Sequence, residues 1–141
     1  MSTPRLASDR RGATAVEFAL LAPVFLLLLC GMIEIGRMLW AKQVLTEVAY
    51  GAARCASLEG QCKTAADIRS FATSRAAGWG LKLDPQQVGY TAITLCDGNA
   101  GNAQVTLRYA LASPIAGLVP GLAGDVEARG CFPRLNQGVT P

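Results

Sequence analysis

The chain contains no histidine and few charged residues, and each shortage excludes a class of function. Without imidazole, the commonest general base and metal ligand of proteins is missing. We also find no glycine-rich phosphate loop, no G-x-S-x-G motif and no H-E-x-x-H motif. The net charge is only +3, which predicts no surface for nucleic acid. We therefore expect no catalytic residues, no cofactor, no metal and no small-molecule substrate.

What the chain does have is a long apolar run near its N-terminus. Arg10, Arg11 and Gly12 precede about twenty apolar residues that only Glu17 interrupts. A helix over residues 13–33 would be roughly 30 Å long, which is the thickness of the hydrocarbon core of a bilayer. The basic residues ahead of it predict that the N-terminus stays in the cytoplasm. The run lacks a signal-peptidase site, so its simplest interpretation is an uncleaved signal anchor.

The residues around this run resemble a more specific pattern, the leader of type IV prepilins. Gly12 follows the two arginines directly, and Glu17 is the fifth residue after it. The longer stretch contains RRG, AVEFAL, a proline within the apolar run and IEIGR at its end. In this combination it resembles the TadE/TadF-like pseudopilins, or minor pilins, of the Tad (tight adherence) pilus system.

The resemblance implies a processing pathway and a set of partners. A prepilin-type peptidase of the bacterial inner membrane would cut between Gly12 and Ala13, leaving 129 residues (141 − 12). The mature helix would stay in the membrane, the C-terminal domain would lie in the periplasm, and other pilin-like subunits and the Tad assembly machinery would bind it. The alternative is a membrane-anchored periplasmic adaptor or binding domain that keeps its leader.

Glu17 is the unusual residue of the apolar run. A carboxylate inside a bilayer costs about 2.5–3.5 kcal/mol on insertion scales and therefore needs a partner or water. One interpretation places Glu17 near enough to the cytoplasmic interface to be hydrated. The other pairs it with the amine that cleavage creates on Ala13, one helical turn away, in the same or a neighbouring subunit. The resemblance implies a role in subunit assembly, and we favour the intermolecular pair.

Charged and aromatic residues predict where the membrane begins and ends. Arg10 and Arg11 mark the cytoplasmic boundary. Glu34 and Arg37, at i and i+3, are expected to pair as the helix leaves the bilayer. Trp40 is expected to be an interfacial aromatic anchor. We interpret these residues as boundary markers rather than as a site.

The remaining sequence predicts an α+β fold with the lollipop layout of pilins. We expect a leader over residues 1–12, a transmembrane and stem helix over 13–59, and a small periplasmic domain over 60–141. An apolar stripe at helical spacing continues to Ser57, where the stem should end. The domain should contain a helix at 64–77, capped by Gly78, and a three-stranded antiparallel sheet packed on the stem. The predicted strands and turns are 88–95, a turn from Asp97 to Asn102, 105–111, an apolar loop at 113–124, and 125–132. The sequence does not decide whether that loop is buried or forms a contact surface.

Five cysteines complete the pattern, and four of them follow the apolar run. Cys55, Cys62, Cys96 and Cys131 would lie in the oxidising compartment, where they allow three pairings. We favour Cys55–Cys62, which joins the end of the stem to the next segment, and Cys96–Cys131, which joins the ends of two strands. A zinc or thiol-redox site is disfavoured because the chain has no C-x-x-C pair and no histidine. Cys30, inside the run, is expected to be an inert buried thiol.

Overall fold

The computed structural model describes residues 10–58, 62–113 and 124–134. Its elements, in chain order, are α1 (Arg10–Ser57), α2 (Ala65–Gly78), a 3₁₀ turn (Pro85–Gln87), β1 (Val88–Cys96), β2 (Asn99–Ala110) and β3 (Asp125–Pro133). One long helix, a second helix and a three-stranded antiparallel sheet confirm the predicted α+β class. Most of the predicted apolar loop, residues 114–123, lies outside the described residues. The chain divides into two compact units, Met1–Arg37 and Met38–Pro141.

Helix α1 ends at Ser57 as predicted but begins earlier, at Arg10. It therefore includes Gly12 and Ala13, where we expect the leader to end. A single glycine costs a helix only about 1 kcal/mol relative to alanine, and the arginines and alanines around it favour helix. At the other end, the Ser57 hydroxyl donates a hydrogen bond to the Ala53 carbonyl at 2.9 Å and another to the Phe132 carbonyl at 3.2 Å.

The second unit is held together by one face of α1 against one face of the sheet. The buried residues of the helix are Ala41, Val44, Leu45, Val48, Ala49, Ala52, Ala53 and Ala56. They are the predicted apolar stripe with two differences: Met38, which we expected in the stripe, is exposed, and Val44 is buried. The buried sheet residues of the same core are Val88, Ala103, Val105, Leu107, Val126 and Ala128. Most of the helix residues are alanines, and small side chains let a helix backbone approach a sheet closely. The expected packing of the sheet on the stem is thus present.

The closest approach occurs at Gly130 of β3. A β-carbon at this position would overlap the backbone of Ala49 and the amide nitrogen of Tyr50. Gly130 lies in the edge strand β3 and pairs with Val105 of the central strand β2. Glycine is required here because of space, since its backbone φ is not in the left-handed region.

Helix α2 begins at a capping box. The Thr64 side chain accepts a hydrogen bond from the Asp67 amide at 3.2 Å, and the Thr64 amide donates to the Asp67 carboxylate at 2.9 Å. The helix ends one residue later than predicted: Gly78 is its last residue and Trp79 is the C-cap. The Trp79 amide donates to the Ala76 carbonyl at 3.0 Å, so the cap uses backbone only.

The sheet has the order β1-β2-β3, and a two-residue turn joins its first two strands. The turn is Asp97–Gly98, with φ of 49° and 85°. Two positive φ values match the twist of a hairpin, so the chain needs no further turn residues. Our predicted turn, which reached Asn102, was too long, because β2 already begins at Asn99. The Asn102 amide is buried and donates to the Asn99 carbonyl at 2.7 Å.

Candidate functional site along the N-terminal helix

The predicted cleavage and assembly residues lie near the N-terminal end of α1. Gly12, Ala13 and Glu17 are all exposed. Glu17 is four residues after Ala13, and helical side chains lean toward the N-terminus, so its carboxylate lies over the turn that contains Ala13. None of the ion pairs seen among the described residues includes Glu17. A β-carbon added to Gly12 would meet no atom within 4 Å.

The apolar surface of the first unit is exposed all around the helix. The large side chains concerned are Val16, Phe18, Leu20, Leu21, Val24, Phe25, Leu26, Leu27, Leu28, Leu29, Met32, Ile33 and Ile35. A core helix of a water-soluble protein would bury one face. This helix is instead long and apolar enough to cross a membrane, and only 6% of its most apolar stretch is buried. Pro23 lies within it, which a helix in a bilayer tolerates when neighbouring groups satisfy the freed carbonyl.

Glu34 and Arg37 form the ion pair that their spacing predicts. The Arg37 guanidinium donates to the Glu34 Oε2 at 2.9 Å. Glu34 is only 4% exposed, and its Oε1 has no hydrogen-bond partner among the described residues. Glu34 lies seventeen residues beyond Glu17 along α1, or roughly 25 Å at the helical rise. The assembly candidate Glu17 and the boundary marker Glu34 therefore lie far apart on the helix.

Cysteines stabilise the second unit at two points. Cys55–Cys62 closes a loop of 7 residues between α1 and α2, and Cys96–Cys131 joins the ends of β1 and β3 across 35 residues. These are the two pairs that the sequence analysis favours. Cys30 is the free cysteine, and it is exposed rather than buried as we expected. The described residues contain no group of three or more acidic or cysteine side chains arranged to hold a metal.

Three charged residues of the second unit form ion pairs on its surface. Glu127 contacts two arginines, Arg129 at 2.7 Å and Arg108 at 3.3 Å. The hydrogen bond from Arg129, followed by the charges of both arginines, lowers the pKa of Glu127. The hydrogen bond from the Thr64 side chain lowers the pKa of Asp67 in the capping box. Both shifts have ordinary structural causes, so neither carboxylate has the features of a catalytic group.

Together these features define a class of protein. An exposed apolar helix that is able to span a membrane is continuous with a small, disulfide-bonded α+β domain, as in membrane-anchored pilin-like proteins. Residues 12–54, less than a third of the chain, match the family model described as TadE-like protein, so the resemblance is confirmed over that segment. The match supports a structural, pilin-like role related to Tad pili. No curated protein and no solved structure matches the chain significantly.

The matched segment contains most of the residues that sequence analysis singled out. It begins at Gly12 and includes Glu17, Glu34, Arg37 and Trp40. It ends one residue before Cys55, so neither disulfide lies within it. The structure adds features that the sequence analysis missed, chiefly the close approach at Gly130 and the burial of Glu34. Burial of Glu34 has no local signal, since its neighbours Ile33 and Ile35 are exposed.

Proposed function

We propose that the chain is a minor pilin or pseudopilin of a Tad-type pilus. A prepilin-type peptidase of the inner membrane removes residues 1–12, and the mature chain is held by α1 with its second unit in the periplasm. The observation that supports this proposal best is the arrangement at the start of the matched segment. Gly12 is exposed, Ala13 follows it, and the Glu17 carboxylate, which is in none of the described ion pairs, lies one turn away.

Cleavage changes the charge at the site that Glu17 faces. The peptide bond after Gly12 is neutral, whereas a free Ala13 carries an α-ammonium group at neutral pH. In a bilayer, the ammonium and the carboxylate are each costly alone and favourable as a pair. An ammonium from a neighbouring subunit fixes the axial register between two helices. Assembly thereby becomes dependent on processing, because the uncleaved chain lacks the cation.

Processing is tested by the mass and N-terminal sequence of the protein purified from its own membrane. We expect a start at Ala13 in the presence of the host's prepilin-type peptidase and an intact leader in its absence. Gly12→Val should block cleavage without disturbing the helix, because a side chain at Gly12 has open space around it. Gly31→Val is the matched control, since Gly31 lies in the same helix with equally open surroundings. An intact leader in both strains refutes the pilin pathway.

The assembly role is tested by Glu17→Gln, which removes the charge and keeps the shape. We expect this variant to be cleaved normally but to lose co-purification with its pilin-like partners. Glu47→Gln is the control, because Glu47 is an exposed glutamate of the same helix in the second unit. Normal co-purification of Glu17→Gln contradicts the role of Glu17 in assembly. If the wild-type chain also keeps its leader in the presence of the peptidase, the alternative of an anchored periplasmic adaptor is supported instead.

A further inference from the structure

The direction of each element within the second unit shows which residues share an end of that unit. Ser57 bonds to Phe132, and Gly130 lies against Ala49. The later residue of α1 contacts the later residue of β3, and the earlier residue contacts the earlier one. The two elements therefore run in the same direction. The ends of β1 and β3 that the Cys96–Cys131 disulfide joins lie at the Ser57 end. The Met38 end, where the chain continues into the apolar segment, is the opposite one.

Helix α2 runs in the direction opposite to α1. The Cys55–Cys62 disulfide joins the end of α1 to the residues just before α2. Gly51, which is N-terminal to Cys55 in α1, faces Phe71 and Arg75, which lie in α2, C-terminal to Cys62. The C-terminal end of α2, with Trp79, thus lies toward the Met38 end of the unit.

The axial position of Trp79 follows from the helical rise. Trp79 lies six residues beyond the midpoint of Phe71 and Arg75, or about 9 Å. Because the helices run in opposite directions, the same distance is counted back along α1 from Gly51. Trp79 is then level with Leu45. Trp40 lies five residues further, about 8 Å along the axis. The headgroup region on one side of a bilayer is about 5–8 Å deep, so both tryptophans come within reach of one membrane interface.

The chemistry of this end of the unit matches a lipid surface. The chain has two tryptophans, and they are Trp40 and Trp79, which are 48% and 53% exposed. Exposed lysines follow both of them, Lys42 and Lys82. Tryptophan rings prefer the headgroup level of a bilayer, and lysines near them are attracted to anionic lipids. The Trp79 ring is not needed for the helix cap, which uses only its backbone amide.

We propose that the Met38 end of the second unit rests on the adjoining headgroup layer of the bilayer that α1 spans, with Trp79 as a second interfacial anchor beside Trp40. This inference rests on α1 being a membrane span and on no other part of the proposed function. The occupant is phospholipid, preferentially anionic phospholipid. Two anchors on different elements hold the unit against the membrane surface, whereas Trp40 alone would leave it free to tilt.

The two tryptophans allow a direct test in the full-length chain. In W40F, Trp79 is the remaining tryptophan, and in W79F it is Trp40. Each variant is reconstituted into vesicles of zwitterionic phosphatidylcholine, with or without phosphatidylglycerol, and its emission is measured with lipids brominated near the headgroup and with aqueous acrylamide. We expect headgroup-brominated lipid to reduce Trp79 emission about twofold, as for an interfacial tryptophan, and acrylamide to quench it weakly. Phosphatidylglycerol should strengthen the lipid quenching, and K82Q in the W40F background should remove that gain.

The outcomes separate this inference from the membrane anchor on which it rests. Lipid quenching of Trp40 but not of Trp79, with strong acrylamide quenching of Trp79, overturns the second anchor and leaves the span intact. A Trp79 shielded from both quenchers means that protein covers it, which also overturns the inference. Failure to quench either tryptophan with lipid means that α1 does not insert, and then the membrane-anchored function itself fails.

Discussion

The close approach of α1 to β3 predicts that Gly130→Ala is strongly destabilising. The added methyl group would overlap the backbone carbon and oxygen of Ala49 and the nitrogen of Tyr50. Backbone atoms inside a helix do not rotate away as the tip of a flexible side chain does. The helix and the sheet would have to separate, and the core between them would lose contacts.

The size of the effect follows from the packing. Forcing an extra methyl group into a well-packed core typically costs about 1–3 kcal/mol, and opposing backbone places this site at the upper limit, about 3 kcal/mol. For a domain of 60–100 residues, each 1 kcal/mol lowers the unfolding temperature by roughly 4–8 °C. We therefore expect the second unit of Gly130→Ala to unfold about 12–24 °C below the wild type. Helix propensity plays no part, because the residue lies in a strand.

The measurement is thermal unfolding of the full-length chain in detergent, followed by near-ultraviolet circular dichroism. This signal reports tertiary packing, whereas the far-ultraviolet signal would include the apolar part of α1. Gly89→Ala is the matched control: Gly89 lies in the same sheet, and a β-carbon there would be 3.7 Å from the Thr106 carbonyl oxygen, an ordinary contact. The control should unfold within a few degrees of the wild type. A similarly small change for Gly130→Ala would refute the close approach.

Three further predictions concern the disulfides and the surface carboxylates. Thiol titration of the unreduced, denatured chain should detect one thiol, that of Cys30; three or more would show that a disulfide is absent. Replacing the pair Cys96–Cys131 by serines should lower the free energy of unfolding by about 4 kcal/mol, and replacing Cys55–Cys62 should lower it by about 2 kcal/mol. The first effect is larger because that disulfide closes a loop of 35 residues, whereas the second closes a loop of 7. Denaturant unfolding of the two variants should show this order. Folding lowers the pKa of Asp67 and of Glu127 below their ordinary values of 3.8 and 4.5. Both carboxylates therefore stabilise the fold at a pH above those values, and the stabilisation is lost as the pH falls through the lowered pKa values. D67N/E127Q should therefore lose less stability than the wild type between pH 6 and pH 3, measured by thermal unfolding, and an equal loss would contradict the assignment.

Local chemistry made most of the elements predictable from the sequence. Thr64 and Asp67 have the spacing of a capping box, and α2 begins there. The alternation around Val105 indicated the central strand, although β2 proved longer at its N-terminal end. That error came from treating the polar residues after Gly98 as turn residues, whereas two positive φ values already reverse the chain. Polar composition alone does not distinguish a turn from the exposed half of a hairpin.

Features that depend on distant packing were not predictable. Gly130 occurs in a sequence that reads as an ordinary strand, and only the position of α1 explains why a larger residue is excluded. Trp79 reads as the residue after a helix, and its relation to Trp40 depends on α2 running opposite to α1. Burial of Glu34 likewise has no signal in the sequence, since its neighbours Ile33 and Ile35 are apolar and exposed. Contacts between residues far apart in sequence leave no periodic pattern to detect.

The boundary of the TadE-like match indicates how the two parts of the chain depend on each other. The match ends at residue 54, and all but one of the buried α1 residues in the core of the second unit lie within it, from Ala41 to Ala53. An amphipathic helix of this kind needs a covering surface, because its exposed alanine and valine stripe would otherwise remain in water. In this chain the sheet supplies that surface, and Gly130 sets how closely it fits. The sheet, which lies beyond the match, is therefore required to complete the packing of the helix segment within it.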